Sequence, residues 1–322
     1  MIFKRSDVMS DNPFKFSSDN KRYNTLNYYN QQTFGKKTYK AVIDLGLTCP
    51  NIDGSNGTGG CIFCDGGSGY FTHGEADILT QLTLEKDRIC SKYGDGAEFI
   101  AYFQANTNTY APVEFLRKAY YTALGFSNVF GISIGTRADC LSDDIVSLLC
   151  ELNNRTHLTV ELGMQSCHEK TISLINRCCT HEEFKRGYSK LKSAGIRTCL
   201  HVINGLPFES ESEMLETANE VAWLRPEAVK LQMLHVIRGT KLAEMYSDGE
   251  FRLLERDEYI DIIAHQLELL PPETVIERIT GDGDKRRLIA PMWSTDKIAV
   301  LGGIDKRLAE LDTWQGRLYS DR

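Results

Sequence analysis

The sequence predicts an α/β protein built on a partial, TIM-like (β/α)6 barrel. Strand-like apolar runs and helical stretches alternate six times between residues 39 and 236, and polar residues recur just after the strands. This alternation indicates a parallel sheet with helices packed outside it. An open doubly wound sheet would show the same alternation, but a polar rim at the strand C-termini is typical of barrel enzymes. We therefore favour a barrel-like sheet.

Each element is predicted from the spacing of its apolar residues. The predicted strands are Tyr39–Leu47, Glu98–Phe103, Val129–Ile134, Leu158–Leu162, Arg197–Ile203 and Ala228–Leu234. The predicted helices between them are Ile78–Cys90, Val113–Leu124, Asp143–Leu152, His168–Asn176, Glu182–Ala194 and Glu211–Leu224. After residue 236 the rhythm changes to a helix at Arg256–Leu269, a possible strand at Thr274–Ile279 and a closing helix at Thr295–Leu311.

This pattern divides the chain into an N-terminal arm (1–38), a barrel (39–236) and an extension packed on the barrel (237–322). The composition, 42% hydrophobic and 25% charged, is that of a globular protein. No run of about 18 apolar residues and no signal-peptide pattern occurs, so we expect a cytoplasmic protein without a membrane span. The net charge is −7, yet residues 1–40 carry +5. That basic arm could contact phosphates, or it could be a solvated terminus.

Ten cysteines in a chain without an export signal indicate metal or redox chemistry rather than disulfides. Three of them, Cys49, Cys61 and Cys64, lie in the glycine-rich loop Thr48–Asp65 with the spacing C-x11-C-x2-C. A four-iron cluster takes four thiolates when it is saturated, so three thiolates would leave one iron open to another ligand. A zinc site completed by His73 or by a distant cysteine is the alternative.

This motif resembles that of the radical S-adenosylmethionine (radical SAM) superfamily, whose three cysteines hold a [4Fe–4S] cluster. The eleven-residue gap is similar to that of the subgroup containing the catalytic subunit of elongator, a tRNA-modifying enzyme. The run from Tyr28 through the cysteine loop to Thr280 and Gly283 resembles a bacterial radical SAM family. The resemblance implies an enzyme that receives one electron from a flavodoxin or ferredoxin type donor. S-adenosylmethionine is then cleaved to a 5′-deoxyadenosyl radical, which abstracts hydrogen from the substrate.

The resemblance also implies cofactor contacts on the rim of the barrel. Phe63 occupies the aromatic position that packs near the adenine in the superfamily. Gln104, Asn106 and Thr107 replace a glycine-rich segment that meets the methionyl amino group, a contact that backbone carbonyls can make whatever the side chain. Gly205 belongs to the fifth-strand glycine motif that passes the adenine. A polar turn is the alternative interpretation of residues 104–107.

The end of the fourth strand carries Gln165, and Arg177 follows twelve residues later. The same spacing occurs in the superfamily's oxygen-independent coproporphyrinogen dehydrogenases, where both residues contact S-adenosylmethionine. The planar fork of an arginine suits a carboxylate, so we expect Arg177 to bind the methionyl carboxylate. Glu161 and Ser133 are further polar candidates for the cofactor site. A solvated arginine at a helix end is the alternative for Arg177.

Two residues are candidates for contact with the substrate. Arg137, after the third strand, could meet the substrate or the ribose of the cofactor, or could simply pair with Asp139. Gln232 and His235 lie three residues apart on or just past the sixth strand. Their side chains should therefore point to opposite faces, and only one should enter the barrel. His235 is the candidate.

The kinship to elongator suggests a wobble uridine of tRNA as the substrate, and the run Lys285-Arg286-Arg287 is consistent with phosphate contacts. No room exists for elongator's acetyltransferase domain. A radical enzyme acting on a small metabolite or on a protein side chain is the alternative function, and a non-catalytic iron–sulfur electron-transfer protein is a third. The adjacent Cys178 and Cys179 cannot easily bind one metal and are expected to be ordinary core or surface thiols.

Overall fold

Seven parallel strands form one curled sheet in the computed structural model, which describes residues 12–65, 74, 76–281, 283 and 285–320. Its strands, in spatial order, are β1 (Tyr39–Ile43), β2 (Phe99–Phe103), β3 (Val129–Thr136), β4 (His157–Gln165), β5 (Arg197–Asn204), β6 (Ala228–Met233) and β8 (Val275–Arg278). A separate antiparallel pair joins β7 (Val236–Ile237) to β9 (Leu288–Ala290). The predicted α/β class and partial barrel are confirmed.

Ten helices surround the sheet in the described residues. They are α1 (Leu26–Phe34), α2 (Ile78–Tyr93), α3 (Val113–Leu124), α4 (Asp143–Asn153), α5 (Glu169–Leu174), α6 (His181–Ser193), α7 (Glu211–Leu224), α8 (Lys241–Ser247), α9 (Arg256–Leu269) and α10 (Lys297–Glu310). Several begin at side-chain caps, and both Thr180 and Ser210 form capping boxes with the glutamate three residues later. No helix in this part of the chain has the length and apolar character that crossing a bilayer requires.

The sheet has one strand more than the six predicted. β8 comes from the segment predicted to be an extension, and it pairs in parallel with β6, Ala228 lying opposite Val275. The boundary at residue 236 therefore does not coincide with the edge of the sheet. The strand itself was predicted as possible, but the 41 residues between β6 and β8 do not follow the short βα rhythm, so its place in the sheet could not be inferred.

The N-terminal arm closes the end of the barrel where the strands begin. The backbone N–H of Ile276 in β8 donates to the carbonyl of Asn24 at 2.7 Å, and Tyr29 of α1 packs on Arg197, 4.4 Å from ring centroid to guanidinium. Three of the arm's cations are paired within the protein: Lys21 with Asp305, Arg22 with Asp312 and Lys36 with Glu98. These cations lie at the opposite end of the strands from the cysteine loop, so they do not extend a basic surface to that loop.

A buried carboxylate, Glu161 of β4, occupies the middle of the barrel and forms what we call the polar floor with its partners. Only 1% of Glu161 is exposed. Its partners are Lys40 at 2.5 Å, Ser133 at 2.6 Å, His201 at 2.8 Å, Tyr102 at 2.9 Å, and Lys230. These five side chains come from β1, β3, β5, β2 and β6, so one carboxylate gathers five strands.

The polar floor also spans the open side of the sheet. β1 and β8 are its two edges, yet the ammonium group of Lys40 reaches Glu277 of β8 at 3.0 Å. Although burial opposes ionisation of Glu161, the charges of Lys230 and Lys40 hold the pKa of its carboxyl well below the usual value. Two carboxylates and two ammonium groups therefore balance one another in the interior.

The first prediction concerns the packing of α6. A Cβ on Gly187 would lie 2.0 Å from the carbonyl oxygen of Ala138, a backbone atom that cannot swing away. Gly187→Ala should therefore lower the free energy of unfolding by about 1–3 kcal/mol through overpacking. The melting temperature should fall accordingly. Gly302→Ala in α10 is the matched control, because nothing lies within 4 Å of its Cβ position. A variant of Gly187 that melts like the wild type would contradict this contact.

The second prediction concerns the polar floor. Glu161→Gln removes the carboxylate that neutralises the buried Lys40 and Lys230, so it should cost about 3–5 kcal/mol of unfolding free energy. Because the folded-state pKa of Glu161 is depressed, its contribution is complete above its unfolded pKa of about 4.5 and is lost as the pH falls below it. Unfolding by urea between pH 3 and pH 7 checks both points: the variant should be less stable at pH 7 and less sensitive to acid.

The control for this prediction is Glu151→Gln, which removes an exposed partner of Arg117. Such surface pairs contribute little because water and salt screen them, so no measurable change is expected. Equal stability of the Glu161 and Glu151 variants would show that the polar floor does not hold the barrel together.

Candidate cofactor and substrate site

One large cavity, about 810 Å³, opens at the C-terminal ends of the strands above the polar floor. Sites for ligands in parallel α/β barrels are built at this end. Most of the predicted site residues line it. They are Cys49, Cys61, Phe63, Cys64, Gln104, Asn106, Thr107, Arg137, Glu161, Gln165, Arg177 and His235.

The cysteine loop is anchored within its C-x2-C segment, at Ile62. The N–H of Ile62 donates to the carbonyl of Ile175 at 3.1 Å, and the carbonyl of Ile62 accepts from the N–H of Leu242 in α8 at 2.8 Å. The side chain of Ile62 packs in an apolar cluster with Leu206 and Val236. The loop is therefore held between the α5–α6 connection and α8.

The cysteine loop brings the three predicted cluster ligands to one cavity. Cys49, Cys61 and Cys64 form no disulfide with the described residues, and all three line the same cavity. Within the described ranges, no three His, Cys, Asp or Glu side chains converge on a point that could hold one ion. A [4Fe–4S] cluster places each thiolate on a different iron, so its ligands do not need to converge in this way. His73, the proposed zinc ligand, lies outside the described residues.

The loop after β2 has a backbone conformation that glycine usually adopts, although the loop contains no glycine. Ala105 and Asn106 have φ values of 90° and 55°, in the left-handed region that favours glycine. The amide nitrogen of Asn106 donates to the carbonyl of Leu47 at 2.8 Å, and the N–H of Thr107 donates to Thr48 at 3.3 Å. These bonds fix the loop beside Cys49, with Gln104 also lining the cavity.

Arg177 is not a solvated arginine at a helix end, because only 3% of it is exposed. Its Nε donates to the carbonyl of Cys179 at 2.7 Å and its Nη1 to that of Met164 at 2.5 Å. Its Nη2 is buried without a hydrogen-bond partner in the described part of the chain. A buried donor without a partner is costly unless a ligand supplies the acceptor. Gln165, with a left-handed φ of 57°, lines the same cavity as Arg177.

Arg137 serves the protein's own structure. Its guanidinium forms a two-pronged ion pair with Asp139, at 2.9 and 2.7 Å, and donates to the carbonyls of Arg177 at 2.8 Å and Cys178 at 3.1 Å. Asp139 in turn accepts from the amide of Asn56 in the cysteine loop at 2.9 Å. The ion pair named as the alternative is thus present, and it ties the cysteine loop to the segment after α5.

Three predicted cofactor residues are placed differently from the expectation. Glu161 lines the cavity, but its oxygens are engaged by the polar floor, and Ser133 donates to it from a buried position. β3 runs to Thr136, two residues beyond the predicted strand end, so Ser133 lies below the rim. Gly205 lies outside the residues that line the large cavity. Its Cβ position is 3.1 Å from Leu254, against which the backbone packs.

Gln232 and His235 both line the cavity, so the prediction that only one could enter the barrel is wrong. β6 ends at Met233, and the alternation of side chains no longer holds beyond a strand end. Burial, helped by the charge of Lys297, lowers the pKa of His235 to about 4 and keeps its ring neutral.

The cavity residues that sequence reasoning missed include Lys40, Tyr102, His201, Lys230 and Arg278. A signal was available for some of them, since a lysine within an otherwise apolar strand, as in Tyr39–Ile43 and Ala228–Met233, indicates a charge that must be paired inside.

Comparisons with known proteins agree with this architecture. The Radical SAM superfamily model matches residues 53–221, and the Radical SAM C-terminal domain model matches residues 226–310. Protein YtqA of Bacillus subtilis is 46% identical over 314 residues, 97% of each chain. The tRNA uridine(34) acetyltransferase of Methanocaldococcus infernus is 28% identical over 154 residues, which are 47% of this chain and 28% of that protein.

Among solved structures, the archaeal Elp3 of Methanocaldococcus infernus has the same fold, with a TM-score of 0.65 at 18% identity. The similarity covers 87% of this chain and 65% of that one. Fold, family models and the long match to YtqA lead to one conclusion. The chain belongs to the radical SAM superfamily of enzymes, which use a [4Fe–4S] cluster and S-adenosylmethionine.

Proposed function

We propose that this enzyme modifies the wobble uridine of tRNA by radical chemistry. The observation that carries the proposal is the joint similarity to a tRNA uridine(34) acetyltransferase in sequence and to Elp3 in fold. The matched part of the acetyltransferase is 28% of its length, so the activity proposed here concerns radical chemistry alone. A cavity of about 810 Å³ at the rim offers room for a cofactor together with a base turned out of its stack.

In this proposal Cys49, Cys61 and Cys64 hold the cluster. The buried Nη2 of Arg177 binds the methionyl carboxylate, and the backbone of Gln104 to Thr107 meets the amino group. When bound, the cofactors supply a 5′-deoxyadenosyl radical that takes hydrogen from an unactivated carbon. The protein's own residues orient the cofactor and substrate and exclude water from the cavity.

Phe63 supports the adenine in the same arrangement, since it lines the cavity and packs partly on the apolar cluster around Ile62. An electron donor of the flavodoxin or ferredoxin type would approach the side of the loop where Cys64 is exposed. These assignments extend the family's chemistry to particular residues of this chain.

A small metabolite or a protein side chain is the alternative substrate. The net charge of −7 and the ion pairs that occupy Lys21 and Arg22 of the arm favour it, because RNA-binding proteins usually present a free basic surface. Of the run 285–287, Arg287 is occupied in an ion pair with Asp65 at 2.6 Å.

The third prediction tests the cluster. Anaerobic reconstitution of the wild-type protein should give about four iron atoms per chain, and Cys61→Ser should lose the cluster and the cleavage of S-adenosylmethionine. Iron analysis and chromatography of 5′-deoxyadenosine measure the two effects. Cys150→Ser, on α4 and outside the cysteine loop, is the matched control and should keep both. Cleavage retained by the Cys61 variant would sink the assignment of the cluster ligands.

The fourth prediction tests the substrate. Transfer RNA from cells without the gene should lack, or carry in precursor form, one modified uridine at the wobble position. Mass spectrometry of the nucleosides checks this, with cells complemented by the Cys61→Ser variant as the control for radical chemistry. Identical wobble uridines in all strains would favour the metabolite or protein alternative.

A further inference from the structure

The polar groups of the cavity fall into two sets. On the polar floor, the carboxylates and ammonium groups are paired with one another. Gln232 and His235 lie on the wall formed by β6 and the residues after it, and both line the cavity. Their side chains form no hydrogen bond with any described residue. Polar groups in a cavity that the protein leaves without partners are those that remain available to a ligand.

His235 lies against the backbone of two glycines. A Cβ on Gly281 would lie 2.2 Å from Cε1 of the imidazole and 2.9 Å from its Nδ1. A Cβ on Gly283 would lie 3.4 Å from its Cγ. Residue 281 must therefore lack a side chain for the ring to sit where it does. This contact gives a structural role to Gly281, which belongs to the motif on which the family resemblance partly rests.

The chemistry of this wall is uncharged. A neutral imidazole offers one N–H donor and one acceptor nitrogen, and the carboxamide of Gln232 offers an N–H donor and a carbonyl acceptor. Burial, helped by the charge of Lys297, lowers the pKa of the imidazole and keeps it neutral. Such a wall is suited to a neutral group that carries donors and acceptors side by side.

We infer that Gln232 and His235 read the edge of a pyrimidine base, in which carbonyl and N–H groups alternate, and that Gly281 holds His235 in place for this task. The inference rests on the proposed function, because it names the part of the substrate that this wall contacts. Paired hydrogen bonds from a carboxamide and an imidazole to such an edge distinguish it from bases with a different donor pattern.

The experiment uses the full chain with its reconstituted cluster and, as the probe, tRNA isolated from cells that lack the gene. Formation of 5′-deoxyadenosine is measured with a chemical reductant, first without tRNA and then at increasing tRNA concentration. For His235→Ala and Gly281→Ala, the response to tRNA is expressed relative to each variant's own rate without tRNA, so that a change in cleavage of the cofactor alone is not counted as a loss of tRNA response. The tRNA concentration for half-maximal stimulation should rise about tenfold or more.

Two further variants distinguish a loss of contact with the base from a general disturbance of the fold. The double variant His235→Ala with Gly281→Ala should behave like His235→Ala alone, since the added methyl group then has no ring to displace. His235→Gln should recover part of the tRNA response, because it restores an uncharged donor and acceptor. Melting temperature and iron content identify any variant that misfolds, and Gln232→Ala, which does not touch the glycines, then provides the same measurement.

The outcomes are distinguishable. If the wild type responds to tRNA and both His235→Ala and Gln232→Ala respond equally well, the inference is overturned while the proposed function stands. If the wild type cleaves S-adenosylmethionine but does not respond to tRNA at all, the proposed function is overturned and the inference with it. A double variant much worse than His235→Ala would contradict the role given to Gly281.

Discussion

The barrel depends on one buried charge, the carboxylate of Glu161. Side chains from five strands end on its two oxygens, and Lys40 carries the connection on to Glu277 at the far edge of the sheet. An uncompensated charge in this position would be costly, so the strands must keep the spacing that satisfies it. The loops of the rim, the cysteine loop among them, follow the strands that this contact joins.

Above this layer of paired charges, several polar side chains lack hydrogen-bond partners among the described residues. The Nη2 of Arg177 is buried without a partner, and Gln232 and His235 face the cavity without hydrogen bonds to the described residues. A protein can keep such groups only where its folding free energy tolerates the cost, or where a ligand removes it. Their concentration on the rim separates the part of the interior that holds the fold from the part that is built for binding.

The six βα repeats could be predicted from local patterns, since each depends on the spacing of neighbouring residues. The cysteine loop could be predicted in the same way, because its three cysteines lie within sixteen residues. The seventh strand and the polar floor were not, since both pair residues far apart in the chain: Lys40 with Glu277, and Ala228 with Val275. Ser133 and His235 show a second cause. Whether a side chain faces the cavity depends on where a strand stops, and an error of two residues reverses or buries it.

The anchoring of Ile62 has a consequence for the order in which the enzyme matures. The carbonyl between Cys61 and Cys64 accepts its hydrogen bond from Leu242, and Asp65 pairs with Arg287, so the loop takes its shape from the last third of the chain. During synthesis the three thiols therefore leave the ribosome well before the segment that arranges them. Iron and sulfide would then be installed after this last third of the chain has folded against the loop.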